Sequence, residues 1–163
     1  MNELDEIVRI DAEVIGDESR RTYIKKAIEE GCCLVAKVNR SIVGFLVYNT
    51  HFFECSFISL VVVKPSERRK GYAKSLIKYF ENISPTEKIF SSTNQSNERM
   101  HRVFLSLGYS KSGFIDNLDE GDPEIIYFKQ LKKTLLLISH GRTNELPSSV
   151  ALRSDAWAAN GWN

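Results

Sequence analysis

The sequence has no excess of either charge, no long apolar run and no cysteine framework. Its 163 residues carry 22 Lys+Arg against 21 Asp+Glu, a formal net charge of +1. So even a balance gives no basic footprint for a phosphate polymer, and nucleic acid is not an expected partner. The longest apolar runs, residues 60–63 and 135–138, fall far short of the ~18 residues that cross a bilayer, so no membrane span is expected. The acidic start, with Glu3, Asp5 and Glu6, is unlike a secretory leader. Cys32, Cys33 and Cys55 are odd in number and lack ligand spacing, which supports neither disulfides nor a metal site. The expectation is a soluble protein of a reducing, cytoplasmic compartment, at a length that suits one domain of ~100–200 residues.

What is present is a regular alternation of patterns. Residues 3–15 carry Leu4, Ile7, Val8, Val14 and Ile15 on an imperfect helical stripe. A second helix runs to about Glu30, with Tyr23, Ile24, Ala27 and Ile28 on one side and Gly31 to end it. Residues 32–38 and 42–49 are rich in Val, Leu, Ile and aromatics and flank Asn39, Arg40 and Ser41, the pattern of a hairpin. Residues 52–63 read as one long strand whose polar positions change phase, from Glu54 and Ser56 to Ser59. A period of two reverses only through an extra residue, so a bulge is expected near 57–59.

Ala73, Leu76, Ile77 and Phe80 recur at helical spacing after Pro65, as do Met100, Val103, Phe104 and Leu107 between Asn97 and Gly108. Strands are expected at 88–93, about 109–115 and 124–131, the last two joined by an acidic loop with Asp116, Asp119, Glu120 and Asp122. The order α α β β β α β α β β predicts an α/β fold with a mixed sheet flanked by helices.

One segment carries chemistry. After Val61 and Val63 the strand gives way to Pro65, Arg68, Arg69, Lys70, Gly71, Tyr72, Ala73, Lys74 and Ser75, where a helix opens at small residues. Such an opening offers free N–H groups and the positive end of the helix dipole to a diphosphate. The plain alternative is a solvated basic turn ahead of a core helix.

The order Arg68-x-x-Gly71-x-Ala73 after Val61-x-Val63 resembles the pyrophosphate loop of the GNAT superfamily of acyl-CoA N-acyltransferases. A second element, Asn97-x-x-Met100-x-x-Val103-Phe104-x-x-x-Gly108-Tyr109, follows a helix and a strand later, as in that family. The resemblance covers residues 3–131 and implies a mostly antiparallel central sheet whose bulged fourth strand splays from the fifth. It implies acetyl-CoA as co-substrate and direct attack of an amine on the thioester. The backbone of Val61 and Val63 would pair with the pantetheine arm, and N–H groups over 68–75 would hold the pyrophosphate. Asn97 would bond the pantetheine or place its helix, and Phe104 would pack near the sulfur.

The chain departs from the family pattern in two places. Phe104 stands where many members carry a tyrosine that protonates the leaving thiolate, and plain core packing is the other reading of it. The chain also begins almost directly in its first helix, so the usual opening strand is absent or very short. Glu54 and Ser59 are the candidate base and water-orienting residue, with Glu54 otherwise an exposed strand residue. His101 reads as a surface histidine.

The acidic loop suits a small cationic amine, though a solvated turn has the same composition. A CoA-binding or sensing module with little turnover, and a protein lysine or N-terminal acetyltransferase, are the competing functions. Residues 132–163 form an extension, with a further strand at 132–139. It is expected to pack on the domain or on a second subunit of a homodimer, over surface or a sheet edge left open by the absent strand.

Overall fold

The computed structural model describes residues 2–132 and 151–153. Helix α1 spans Glu3–Ile15; the Asn2 side chain caps it by accepting from the Asp5 N–H at 2.8 Å. Helix α2 spans Arg21–Glu29. Strands β1 (Cys33–Val38) and β2 (Ser41–Phe52) form an antiparallel hairpin. Asn39 and Arg40 turn it with φ of 49° and 69°, the left-handed pair that matches the twist of the strands. Strand β3 (Cys55–Val63) follows antiparallel to β2. Gly44 lets these two strands approach, since a Cβ there would sit 2.8 Å from the Val62 carbonyl oxygen.

A short 3-10 turn at Pro65–Glu67 leads into α3 (Tyr72–Ile83), which crosses over to β4 (Lys88–Asn94). Then come α4 (Glu98–Ser106), β5 (Ser110–Ile115), β6 (Glu124–Gln130) and β7 (Ala151–Arg153). The sheet order is β5-β6-β4-β3-β2-β1-β7. Among the described residues only β3 and β4 run parallel, so the expected mixed and mostly antiparallel sheet is present. No strand precedes α1 among the described residues.

Two cores lie on the two faces of the sheet. Leu34, Leu46, Ile58, Ile89 and Tyr127 pack with Leu76, Ile77 and Phe80 of α3 and Phe104 of α4 on one face. Val35, Phe45, Val47 and Val62 pack with Ile7, Val8, Ile10 and Ile24 of α1 and α2 on the other. The second pair of helices covers only the β1–β3 half of its face.

The bulge falls at Ser59. Val47 pairs with Leu60 and Tyr48 with Ile58, so Ser59 is the extra residue. The strand expected from 52, however, starts at Cys55. Phe53 and Glu54 form a two-residue turn with φ of 51° and 59°, and Phe52 pairs with Cys55 across it. Glu54 is therefore a turn residue and not a member of the bulged strand. The strand expected at 132–139 falls almost wholly outside the described residues. A strand the sequence did not signal, β7, pairs with β1 through Val35–Arg153, Ala36–Leu152 and Lys37–Ala151.

Candidate active site

Strands β3 and β4 are in register only at Ser56–Ile89, Phe57–Phe90 and Ile58–Ser91. Beyond Ile58 and Ser91 they part, and the Ser59 bulge sits at the point of separation. The Ser91 hydroxyl donates to the Ile58 carbonyl at 2.9 Å and pins the last paired position. On the β3 lip, the Lys64 N–H donates to Val43 of β2. Because a strand alternates its backbone groups, Val61 and Val63 then turn theirs toward the split. The Val63 carbonyl accepts from the Arg68 Nε at 3.3 Å, as that geometry requires.

The loop after β3 is a cradle of amides. Arg69 and Gly71 have φ of 67° and 89°, and Gly71 opens α3. The Arg68 N–H is taken by the Pro65 carbonyl and the Ser75 N–H by the Gly71 carbonyl. Between them the N–H groups of Arg69, Lys70, Gly71, Tyr72, Ala73 and Lys74 have no hydrogen-bond partner among the described residues. Consecutive free amides around left-handed residues form an anion-binding concavity, and the helix dipole adds to it. Two side chains nearby are committed. Arg68 is on Val63, and Lys70 pairs with Glu67 at 2.8 Å, which holds its ammonium above the usual lysine range.

The β4 lip leads to Asn97, whose Oδ1 accepts from the Met100 N–H at 3.2 Å and caps α4. Phe104 is fully buried, stacked on Tyr127 at 4.8 Å and tilted against Tyr109 at 5.4 Å. His101 is not a surface residue. It is buried, with Nδ1 2.7 Å from the Tyr127 hydroxyl and Nε2 2.9 Å from the Gln95 carbonyl. The carbonyl can only accept, so Nε2 carries a proton and donates to it, and Nδ1 bonds the Tyr127 hydroxyl. The pair fixes the start of α4 against β6. Sequence reading missed it, because the partners lie 26 residues apart and neither breaks its local pattern.

The acidic loop is partly a brace. Asp122 accepts from the Ser96 N–H at 2.9 Å and hydroxyl at 2.6 Å, which holds its carboxyl below the usual range. Asp119 accepts from Asn94 at 2.7 Å. Among the described residues Asp116 and Glu120 make no such bonds, and they line a shallow recess of about 290 Å³. Glu54 is exposed in its turn. Ser59 accepts from the Asn49 side-chain amide at 2.9 Å, on the sheet face away from α3 and α4. Of the two candidate catalytic residues, only Ser59 lies at the split.

The profile of the Acetyltransferase (GNAT) family matches residues 1–109. The chain belongs to the GNAT acetyltransferase family. A GNAT-family acetyltransferase from Bacillus cereus is 55% identical, with a TM-score of 0.78 over 80% of this chain and 92% of that one. Two more distant neighbours share the fold. The ribosomal-protein-S18-alanine N-acetyltransferase of Escherichia coli is 12% identical, with a TM-score of 0.69 over 85% and 94% of the chains. An aminoglycoside 6'-N-acetyltransferase complexed with coenzyme A is 15% identical, with a TM-score of 0.67 over 78% and 89%. No curated protein matches the chain.

GNAT enzymes use acetyl-CoA as co-substrate. The free amides of residues 69–74 fit the diphosphate of that molecule, whose charge needs several donors within one short loop. Among the described residues no helix of this GNAT chain is long and apolar enough to cross a membrane.

Proposed function

We propose that the chain transfers an acetyl group from acetyl-CoA to the primary amine of a small, cationic acceptor. The observation that carries the reading is the split between β3 and β4, which opens beside the unpartnered amides of residues 69–74. The backbone of Val61 and Val63 pairs with the pantetheine arm as an added strand would. The amides of Arg69, Lys70, Gly71, Tyr72, Ala73 and Lys74 take the diphosphate. The Arg68 and Ser75 amides, already bonded within the loop, close its two ends. Asn97 caps α4 with its oxygen and keeps its amide nitrogen as a donor toward the arm.

The amine nitrogen attacks the thioester carbonyl carbon, the C–S bond breaks, and CoA leaves as the thiol. Ser59, with one lone pair engaged by Asn49, has a second to accept an N–H of the attacking amine or of a water that removes its proton. Glu54, out in the turn, is the weaker candidate for that step. A cationic acceptor is favoured by the carboxylates of Asp116 and Glu120, unpaired among the described residues, on the loop beside the β4 lip. The neighbours named for an aminoglycoside and for an alanine of ribosomal protein S18 both acylate amines of very different size, so size must be tested.

Thiol release over a panel of small polyamines, aminoglycosides and other amines, with peptides as the large class, is the direct test. Saturable turnover on a small amine is the expected result. Phe104, with no hydroxyl to give and no exposure, favours one alternative, a CoA-binding module with little turnover. Tight acetyl-CoA binding with no thiol release on any amine would select that alternative.

A further inference from the structure

The sheet face opposite α3 and α4 carries a row of phenylalanines over the half that α1 and α2 leave uncovered. Phe53 meets Phe52 edge-on at 5.1 Å; Phe52 meets Phe57 at 4.8 Å and Phe90 at 5.1 Å; Phe90 meets Phe128 at 5.0 Å. Phe53 is 84% exposed and Phe114, on the edge strand β5, is 65% exposed. Together with Ile115 and Ile126 they wall an open recess of about 550 Å³. Its size falls within the range of small-molecule sites, roughly 300–1,000 Å³.

Two of these rings stand where the chemistry must occur. Phe57 and Phe90 are paired with each other one position before Ile58 and Ser91, where β3 and β4 part. Ile58 belongs to the α3–α4 face, so Phe57 and Phe90 point to the opposite one. The cradle of free amides opens α3, on the first face. A thioester fed into the split from that side meets its acceptor on the aromatic side.

The charges fix a direction. Lys88, the first residue of β4, lines the recess at the end away from the split. Ile115 lines it at the other border, and the loop with Asp116 and Glu120 follows directly. An ammonium group is therefore repelled from the Lys88 end and drawn toward the loop and the split.

We propose that this recess is the acceptor site and selects amines that carry an aryl group, with the ring on Phe52, Phe53, Phe90 and Phe114 and the amine at the split. The proposal rests on the acetyltransferase reading above and names the substrate class of that site. A second copy of the chain on the same face is the competing occupant.

The test compares 2-phenylethylamine with putrescine and n-butylamine in thiol release. The variants are Phe53→Ser and Phe114→Ser, both at exposed positions whose loss spares the core. Expected are a kcat/KM for phenylethylamine at least tenfold above the other two, and a KM for it raised about tenfold in each variant. The kcat and the acetyl-CoA Kd should stay unchanged. Equal or better turnover of putrescine, or an unaltered KM in both variants, overturns the aryl assignment while leaving the transferase intact. A dimer in sedimentation that either variant converts to monomer also overturns it and assigns the face to a second copy. Failure of the parent protein to bind acetyl-CoA by calorimetry overturns the underlying reading as well.

Discussion

At the scale of single residues, Gly71 is the position where backbone geometry and ligand chemistry meet. It holds φ at 89° as α3 begins, and no atom of the described residues lies within 4 Å of where its Cβ would be. The space is open, so the cost of a side chain there is conformational: about 1–3 kcal/mol for a β-branched residue in the left-handed region. Gly71→Val should lower Tm accordingly and re-aim the free amides. Acetyl-CoA affinity should fall at least tenfold, or about 1.4 kcal/mol. Calorimetry giving a Kd within about threefold of the parent would remove Gly71 from the diphosphate site. The residues at this scale were unequally legible. Gly71 and Asn97 announce themselves, because glycine adopts a left-handed turn without strain and asparagine is among the preferred helix caps. Phe53 and Glu54 do not. They adopt the same left-handed turn with none of the usual turn residues, so the sequence reads straight through it as strand.

At the scale of elements, α4 shows how one residue can serve two ends. Asn97 caps it through Oδ1, and an N-cap is worth about 1 kcal/mol. Its amide nitrogen is free for the pantetheine arm. Asn97→Asp keeps the cap and deletes that donor, whereas Asn97→Ala deletes both. Thermal melts should show the parent stability in the aspartate variant and a loss in the alanine variant, and both should bind acetyl-CoA more weakly. Parent-like binding by Asn97→Asp would leave Asn97 as a cap alone. The elements themselves were readable because helical and strand periods are local signals: α1, α3 and α4 follow their stripes, and the phase change in β3 foretells the bulge at Ser59. The His101–Tyr127 bond was hidden because it links α4 to β6 through tertiary packing, which no local pattern records.

At the scale of the whole molecule, the sheet is two antiparallel halves joined through three paired positions of β3 and β4. That narrow joint makes room for the split, and α3 and its core hold the halves together. At the far edge, β7 covers β1. We propose that the C-terminal extension steadies this edge. Ending the chain after residue 132 should then speed hydrogen exchange at the outward amides of β1 and lower Tm, while the split and its amide cradle keep their affinity for acetyl-CoA. Unchanged exchange in β1 would dismiss the extension as a support. The pairing of β7 was beyond sequence reading, since three residues carry no period to detect.

That same pairing has a consequence in time. Val35 waits for Arg153, and 153 − 35 = 118 residues separate them. The rest of the sheet is complete only at Gln130, 153 − 130 = 23 residues before Arg153, so at a synthesis rate of about 5–20 residues per second the edge of an otherwise assembled sheet stays bare for ~1–5 s. A nascent chain of this protein thus passes through an interval in which a sheet edge is open to pairing with any other strand in its neighbourhood.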